Sequence, residues 1–443
     1  MHIPLRYLRT VLNYEGIHMN TQEQYDKYMI TSMVAGFEPI VVESASGMTM
    51  HGQDGKAYLD CFSGISVTNA GHNHPRIVKA AQQQMEKLIH CCTYVYYNPV
   101  AGELAQRLAA IMPGTLQKTF FACSGAEALE GAMRLAKQFT GRTELIALTH
   151  SFHGRTIGTL SITGNMGRKK AGGPYLSGVA FAPAPNVYRC PFGTDNEDDC
   201  AIACAEAFED TIRYQTSGDV AAFIAEPIMG EGGILVPPKN YFTYVKEICD
   251  RHGILFIADE VQTGFGRSGK MFAIEHYDVD PDIITTAKGI ADGFPLSAFT
   301  ARADVGNAFK PGDHLSTFGG NPVSCAAAIE NIAVMQDEKL PENATLRGEQ
   351  IMTHLKASAA SRPLIGDVRG KGLMIGIELI SDTKKTPAAA QAKEVRRLCR
   401  EAGVLIGVGG TLANVLRVQP PLCMNEAEAD RVCEAIEKAI DSL

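Results

Sequence analysis

The central part of the chain alternates segments of helical periodicity with short apolar runs. In five segments apolar residues recur every three or four positions, which predicts helices with one buried face. They are Arg76–Ile89, Ala101–Ile111, Ala126–Phe139, Ile202–Tyr214 and Tyr241–His252. Short apolar runs bounded by turn residues predict strands buried on both faces. These runs are Thr119–Ala122, Leu145–Leu148, Ala221–Ala225, Ile254–Ala258 and Asp282–Thr285. The pattern is typical of an α/β fold with helices on both sides of a mostly parallel sheet.

The two ends of the chain follow other patterns. Residues Pro39–Cys61 alternate apolar and polar positions between glycines, which favours extended segments and turns. After about Asn321 the chain is helix-rich and then holds apolar runs at Gly372–Leu379 and Asn414–Val418. We therefore predict a smaller α+β domain built from both ends of the chain. The predicted boundaries are 1–75 for an N-terminal segment packed with the small domain, 76–325 for the large domain and 326–443 for the C-terminal small domain.

Composition and charge narrow the class of function. Of the 443 residues, 45% are hydrophobic and 20% are charged, which is ordinary for a globular protein. The formal net charge is 41 − 49 = −8 and the charges are interspersed, so we expect no nucleic-acid partner. No apolar run approaches the roughly 18 residues of a spanning helix, so we expect no membrane association.

The N-terminus and the cysteines bear on where the protein works. Residues 1–18 lack the apolar core of a secretory signal, and Met19 is an alternative start. The 12 cysteines are scattered and form no CxxC pair or Cys/His ligand set, so we expect no metal site. Scattered free cysteines are normal in a reducing compartment, which favours a cytoplasmic location.

Polar and charged residues follow each of the five predicted strands. Ligands of open parallel α/β sheets bind outside the carboxyl ends of the strands, so these residues are candidates for one shared site. The segments begin Ser124-Gly125-Ala126, Ser151-Phe152-His153-Gly154-Arg155, Glu226-Pro227, Asp259-Glu260-Val261-Gln262 and Lys288-Gly289. Together they offer a phosphate cradle, an aromatic ring, a buried acid and a lysine. Pyridoxal phosphate is the cofactor that needs this set of groups.

Each group also has a plainer interpretation. The N–H groups of Ser124-Gly125-Ala126 open a helix and suit a phosphate, although Ser124 is equally typical of a simple N-cap. Asp259, after the apolar run GILFIA, would compensate a cationic pyridinium nitrogen, whereas alone it would be a strand-end residue. Lys288 would form a Schiff base with the cofactor aldehyde, whereas a lone loop lysine is ordinarily solvated. Phe152 would stack on the pyridine ring or belong to the core.

Two arginines are candidates for binding a substrate carboxylate through paired hydrogen bonds. Arg155 follows FHG, and Arg417 lies inside the apolar stretch VLRVQPPL, where a merely exposed arginine is less expected. His153 is expected to play a structural part beside the cofactor. The segment Gly264–Gly269 matches GxGxxG and nearly continues as a P-loop. We predict no nucleotide site there, because five residues separate it from the preceding strand and Met271 replaces the magnesium-binding Ser or Thr.

Six motifs together are highly specific. They are CSGAEALEGAMRLAK (Cys123–Lys137), HSFHGRT (His150–Thr156), AEPIMGEGG (Ala225–Gly233), IADEVQTGFGRSG (Ile257–Gly269), TTAKGIADGFPLSA (Thr285–Ala298) and STFGGNP (Ser316–Pro322). With them the chain resembles the class III aminotransferases, which have fold type I of the pyridoxal-phosphate enzymes. The resemblance covers nearly the whole chain from about Phe37.

The resemblance implies roles for individual residues. Lys288 matches the family's Schiff-base lysine, and Asp259 matches its pyridinium partner. Gln262 matches a neighbour of the ring hydroxyl. Thr317 matches a threonine that reaches the phosphate from the other subunit, which implies a homodimer, or a tetramer, with shared active sites. The expected cofactor contacts are Ser124, Gly125, Ala126, Phe152, His153, Glu226, Asp259, Gln262, Lys288 and Thr317.

Within the family the chain is most similar to 4-aminobutyrate aminotransferases. Ile65, Arg155, Glu231 and Arg417 match the substrate residues of that subgroup. We therefore expect an amino group to pass from an ω-amino acid donor to a 2-oxo acid, 2-oxoglutarate, giving a semialdehyde and glutamate. MGEGG in place of the commoner QGEGG departs from the pattern, and PNVYRCPFG (Pro185–Gly193) is similar to related racemases and alanine–glyoxylate enzymes. A racemase or epimerase, or an alanine–glyoxylate or ornithine/acetylornithine-type aminotransferase, is the alternative.

Overall fold

The computed structural model describes residues 19–32 and 38–443. Residues 1–18, which raised the question of a start at Met19, lie outside this range. The strands are β1 (Val42–Ser46), β2 (Thr49–Gly52), β3 (Ala57–Asp60), β4 (Leu116–Ala122), β5 (Glu144–Leu148), β6 (Val179–Ala182), β7 (Val220–Ala225), β8 (Leu255–Asp259), β9 (Ile283–Thr286), β10 (Ser297–Arg302), β11 (Ile365–Lys371), β12 (Met374–Leu379), β13 (Val404–Leu405), β14 (Gly407–Gly409) and β15 (Val415–Val418).

Helices connect most of these strands. The α-helices with right-handed backbone are Thr21–Tyr28, Pro75–Met85, Pro99–Ile111, Gly125–Thr140, Ile157–Ser161, Met166–Lys169, Glu197–Gln215, Tyr241–His252, Ala303–Gly306, Pro322–Asp337, Leu340–Ala359, Ala389–Glu401 and Glu426–Asp441. Short 3-10 turns lie at Val187–Arg189, Ala273–His276 and Lys288–Ile290. Ser63–Ser66 forms a turn of left-handed backbone. No helix in the described ranges is long and apolar enough to cross a membrane.

The largest sheet has seven strands in the order β4-β10-β9-β8-β7-β5-β6. The run β9-β8-β7-β5-β6 is parallel throughout, which confirms the predicted mostly parallel sheet. All five predicted strands are present, and no end is shifted by more than three residues. The pattern missed β6 and β10. β10 runs antiparallel to both β4 and β9, and its mixed sequence SAFTAR carries no continuous apolar run.

Helix ends differ from the prediction where local chemistry decides them. The helix expected from Ile202 begins at Glu197, because Asn196 accepts a hydrogen bond from the Asp199 N–H and three acidic residues fill the first turn. The helix expected to reach Ile89 ends at Met85. Leu88 and Ile89, which extended the apolar pattern, are exposed.

Both faces of the seven-stranded sheet are covered. Phe223 and Phe256 point to one face, where they pack on Phe208 and Phe242 from helices Glu197–Gln215 and Tyr241–His252. The next residue in each strand, Ile224 or Ile257, points to the other face and packs with Leu129 of helix Gly125–Thr140. Because both faces are dry, polar side chains can meet water and ligands mainly at the strand ends.

The two ends of the chain share one of the remaining sheets. That sheet has the order β1-β2-β3-β13, and β13 runs parallel to β3. The other is an antiparallel sheet in the order β11-β12-β15-β14. The apolar runs predicted at Gly372–Leu379 and Asn414–Val418 correspond to β12 and β15. β12 begins two residues later than predicted, and β15 begins one residue later. The domain boundaries at 75 and 325 stay a prediction.

A buried arginine fastens the GFGRSG loop to the C-terminal segment. Arg267 is fully buried and donates to the Asn69 side-chain oxygen (2.6 Å), to the Leu373 carbonyl (3.0 Å) and to the Pro420 carbonyl. Burial lowers the pKa of Arg267 to about 9. The segment that matches GxGxxG therefore has a structural role.

Replacing Arg267 with methionine should destabilise the protein substantially. The variant leaves several buried carbonyl and amide oxygens without a donor, at a cost on the order of 3 kcal/mol in the free energy of unfolding. Thermal unfolding of the cofactor-free protein measures this. The control is Arg213→Met. Arg213 is exposed and forms a surface ion pair with Asp210 at 3.7 Å. Such a pair contributes about 1 kcal/mol or less to the free energy of unfolding. Equal melting temperatures for both variants would contradict the assignment.

Candidate active site

A cavity of about 610 Å³ lies where the loops after the parallel strands converge. Its lining contains residues from all five segments that the sequence singled out. The predicted site residues in that lining are Ile65, Ser124, Gly125, Ala126, Phe152, His153, Arg155, Glu226, Glu231, Asp259, Gln262 and Lys288. Arg417 contacts this set through Glu231, and Thr317 lies on the exposed surface outside the cavity.

The N-terminus of helix Gly125–Thr140 opens into the cavity. Ser124 caps this helix, because its hydroxyl accepts a hydrogen bond from the Glu127 N–H (3.3 Å). The N–H groups of Gly125 and Ala126 have no partner within the helix, as in the first turn of any α-helix. A Cβ on Gly125 would lie 2.8 Å from the Val261 side chain, so only glycine fits there. Free N–H groups and the positive end of the helix dipole suit a phosphate.

A buried carboxylate lies at the end of β8. Asp259 is 3% exposed, and its Oδ2 lies 2.6 Å from Nδ1 of the fully buried His153. Its Oδ1 accepts hydrogen bonds from the Val261 N–H (3.1 Å) and the Thr285 hydroxyl (3.3 Å). These contacts fix the carboxylate in one orientation. His153 therefore positions Asp259, and this contact is the structural role expected of His153.

A second buried acid ties two of the loops together. Glu226 Oε1 accepts the Phe152 N–H and its Oε2 accepts the Gly230 N–H, both at 2.9 Å. Burial raises the pKa of Glu226 to about 7, and the charge of Asp259 adds to that rise. The Phe152 backbone is thereby held next to the glycine-rich loop that carries Glu231.

Lys288 reaches the cavity from the turn after β9. It adopts a left-handed backbone conformation (φ +47°), which costs about 1–2 kcal/mol for a non-glycine residue. Strain of this kind persists where the surrounding structure enforces it, often at active sites. Burial lowers the pKa of the Lys288 amine, while the negative charges of Asp259 and Glu226 oppose that change. A lowered pKa leaves more of the amine unprotonated and nucleophilic.

The Gln262 side chain leaves hydrogen-bonding capacity in the cavity. Its Oε1 is buried and has no hydrogen-bond partner among the described residues. A Cβ on Gly230 would stand 1.4 Å from this oxygen, so the Gln262 side chain packs directly against the glycine. A buried polar atom without a partner is costly, and a ligand hydroxyl or N–H would satisfy it.

The substrate candidates occupy two regions. Arg155 is exposed at the edge of the cavity, with its Cζ 5.5 Å from the centroid of the Phe152 ring. Arg417 is 3% exposed, and its Nη1 lies 3.1 Å from Glu231 Oε2. Glu231 lines the cavity and Arg417 does not, so the carboxylate of Glu231 stands between this guanidinium and the cavity.

Sequence reasoning missed a third arginine in this group. Arg168, in the short helix Met166–Lys169, forms a salt bridge from its Nη2 to Glu231 Oε1. Burial raises the pKa of Glu231, but Arg417 and Arg168 outweigh that effect and the net change is downward. No motif flags Arg168, because 63 residues separate it from Glu231 and only the tertiary fold joins them.

Comparison with known proteins decides the family. The sequence model of the family described as "Aminotransferase class-III" matches residues 32–440. The chain belongs to the class III aminotransferases. It is 41% identical to an acetylornithine aminotransferase of Methanothermobacter thermautotrophicus, over 92% of this chain and 95% of that protein. It is 39% identical to a leucine/methionine racemase of Thermococcus litoralis, over 94% of each.

Two further comparisons support the fold and the cofactor of this class III aminotransferase. A 5-aminovalerate aminotransferase of Pseudomonas aeruginosa is 38% identical over 93% of this chain and 95% of that protein. A solved amine transaminase from an uncultivated Pseudomonas species, in its PLP-bound form, superposes with a TM-score of 0.90 at 32% identity, covering 94% of this chain and 99% of that one. The predicted fold class and family are confirmed, and the enzyme depends on pyridoxal phosphate.

The residues of the cavity fit that cofactor. The helix N-terminus at Gly125 and Ala126 would hold its phosphate, and the Gln262 oxygen has no other partner among the described residues. Asp259 would hold the ring nitrogen in its protonated state, and Lys288 would bond to the aldehyde. When bound, the cofactor supplies an electron sink for the pair released when a bond at the substrate carbon breaks.

Proposed function

We propose that this aminotransferase moves an amino group from an ω-amino acid of the 4-aminobutyrate kind to 2-oxoglutarate, giving a semialdehyde and glutamate. The observation that carries the proposal is the salt bridge between Glu231 and the buried Arg417. The two substrates differ in their carboxylates, since 4-aminobutyrate has one, remote from its amine, and glutamate has two. A carboxylate-binding arginine that is covered by a movable acid suits both.

Two arginines serve the two carboxylate positions. The exposed Arg155 binds the carboxylate remote from the amine, which both substrates possess. Arg417 binds the α-carboxylate that glutamate and 2-oxoglutarate alone possess. When a donor without this group is bound, Glu231 stays on Arg417, since a desolvated cation without a partner is costly. When a substrate with an α-carboxylate binds, the Glu231 side chain moves away and the α-carboxylate pairs with Arg417.

Lys288 moves the proton in both halves of the reaction. With its amine released by the incoming substrate, Nζ accepts a proton from the substrate carbon next to the nitrogen. Burial lowers the pKa of Lys288, which favours the unprotonated amine that can accept this proton. His153 holds the Asp259 carboxylate in place in the cavity.

A screen of donors and acceptors tests the proposal. We expect 4-aminobutyrate and 5-aminovalerate to be converted faster than alanine, ornithine or acetylornithine, with 2-oxoglutarate preferred to pyruvate and glyoxylate. The named activity of the Pseudomonas relative on 5-aminovalerate supports an ω-amino donor. Preference for acetylornithine would favour that alternative, which the archaeal relative represents.

A racemase is the second candidate, favoured by the similarity to the Thermococcus racemase. A racemase would invert an α-amino acid with no 2-oxo acid added, because a proton is returned to the same carbon on its opposite face. Chiral chromatography of leucine, methionine and alanine incubated with the enzyme alone distinguishes the two activities. Inversion faster than any transamination would overturn the proposed function.

We further propose that the enzyme is a homodimer with shared active sites. The surface carries an apolar patch in which every side chain is at least 59% exposed. Its members are Val95, Tyr96, Tyr97, Leu315 and Phe318. Its two segments touch, because the Thr93 hydroxyl donates to the Gly319 carbonyl at 2.7 Å. An exposed apolar patch is typical of an interface. Thr317 lies inside the second segment, exposed and outside its own chain's cavity.

Replacing Thr317 with alanine should therefore weaken retention of the cofactor. If the hydroxyl donates to the phosphate of the partner subunit's site, its loss should weaken cofactor affinity about tenfold. Dialysis followed by measurement of retained pyridoxal phosphate checks this, with Thr353→Ala, an exposed position on helix Leu340–Ala359, as the control. Unchanged retention in Thr317→Ala, or a monomer by light scattering, would contradict the shared site.

A further inference from the structure

The carboxylate of Glu231 lies between two arginines. Oε2 pairs with Arg417 Nη1 at 3.1 Å, and Oε1 pairs with Arg168 Nη2. The side chains of Glu231 and Arg168 are 19% and 18% exposed, so both are largely withdrawn from water. The Nε atoms of both arginines are buried and have no hydrogen-bond partner in the described part of the chain. Each guanidinium can therefore donate a further hydrogen bond to a carboxylate oxygen.

We propose that Arg168 is a positioning residue that sets the substrate preference of this site. It holds Glu231 when an α-carboxylate takes the place of Glu231 on Arg417. This inference rests on the proposed function, because it concerns how one site accepts both a monocarboxylate donor and a dicarboxylate. Arg168 itself acts through Glu231.

Counting charges explains why a second arginine is needed. The Glu231 carboxylate carries one negative charge and pairs with two guanidiniums, those of Arg168 and Arg417, which leaves one positive charge in excess. An incoming α-carboxylate brings the count to two acids and two arginines, so every charge has a partner. Without Arg168 the same exchange would expel Glu231 from its only cation. A buried carboxylate without a partner is costly, so Glu231 would compete with the substrate for Arg417.

The backbone around Glu231 confines the exchange to its side chain. The Glu231 carbonyl accepts a hydrogen bond from the Gly410 N–H (3.2 Å), and the Gly230 N–H is held by Glu226. Gly410 belongs to the segment that precedes β15, the strand of Arg417. The loop is thus fastened on both sides while the carboxylate can rotate from Arg417 towards Arg168.

Equilibrium binding of unreactive ligands tests the proposal without turnover. Glutarate has the two carboxylates of glutamate and no amine, and pentanoate has one carboxylate on a chain of the same length. With the cofactor-loaded enzyme in a calorimeter, Arg168→Met should weaken glutarate binding about tenfold or more and leave pentanoate binding unchanged. Arg168→Lys, which keeps the charge, should retain most of the glutarate affinity.

Two controls separate this mechanism from a general loss of charge or structure. Lys170→Met removes one positive charge from the same segment, and Lys170 is exposed, so it should leave the glutarate-to-pentanoate ratio unchanged. Arg168→Met combined with Glu231→Gln should recover glutarate affinity, since a neutral side chain no longer competes for Arg417. Equal loss for both ligands in Arg168→Met, or no recovery in the double variant, would overturn the role of Arg168.

The same titrations distinguish failure of this inference from failure of the proposed function. Arg417→Ala should abolish the preference for glutarate over pentanoate. If Arg417→Ala keeps that preference, the proposed function loses its α-carboxylate subsite whatever Arg168 does. If Arg417→Ala removes the preference and Arg168→Met does not reduce it, the proposed function stands and only the role of Arg168 fails.

Discussion

Replacing Lys288 with alanine should reduce turnover on the order of 10⁴-fold or more, because one amine serves as both nucleophile and proton carrier. The variant should fold, since the Lys288 side chain is only partly buried and faces the cavity. The substitution should change the backbone strain at this left-handed position only slightly, because alanine is also disfavoured there. The cofactor should bind without a covalent link and dialyse away more readily.

Borohydride treatment followed by mass spectrometry measures the covalent link. The wild type should gain the mass of one reduced cofactor per chain, at Lys288. The Lys288→Ala variant should gain none, and the exposed Lys270→Ala variant should behave as the wild type. A reduced cofactor attached elsewhere in the Lys288 variant would reassign the lysine.

Replacing Asp259 with alanine should slow both half-reactions on the order of 10²-fold or more, since about 1.4 kcal/mol corresponds to tenfold in rate. The ring nitrogen loses the charge that keeps it protonated, so electrons released at the substrate carbon have a poorer destination. His153 Nδ1 also loses its partner at 2.6 Å, which lowers stability in addition. Single-turnover rates at saturating cofactor separate the two effects.

Asp282 offers a matched control. It is also a buried aspartate at the same sheet, where it accepts the Phe256 N–H at 2.8 Å and pairs with Arg302 at 2.7 Å. Asp282→Ala should lower the melting temperature and leave the rate of the cofactor-loaded enzyme unchanged. Similar rates for the Asp259 and Asp282 variants would make Asp259 a strand-end residue with no part in the chemistry.

The sequence predicted for a topological reason that Asp259 and Lys288 lie in one cavity. Asp259 and Lys288 each follow an apolar run, and parallel strands bring their carboxyl ends to one edge of the sheet. The strand pattern alone therefore placed these side chains together, although they are 29 residues apart in the sequence. The capping pattern at Ser124 predicted a helix start there, which the structure confirms.

The local pattern of apolar and polar residues did not predict other parts of the molecule. β10 is antiparallel in a mostly parallel sheet, and its Ser and Thr residues are buried by neighbouring strands instead of forming an apolar run. The Glu231–Arg168 pair joins a loop to a helix of four residues, which is too short to show a periodic pattern. The role proposed for Thr317 requires a second subunit, so only the family resemblance pointed to it. Side-chain pairs between loops depend on the completed fold, which a one-dimensional pattern does not encode.

Separate measurement of the two half-reactions tests the central claim, that one site accepts both substrates by exchange at Arg417. The absorbance of the bound cofactor, followed in stopped flow with 4-aminobutyrate alone or glutamate alone, reports each half. Glu231→Gln should slow the 4-aminobutyrate half about tenfold or more and the glutamate half little, since Arg417 then lacks a charged partner only with the monocarboxylate. Arg417→Ala should do the reverse. Equal losses in both halves for both variants would contradict the account.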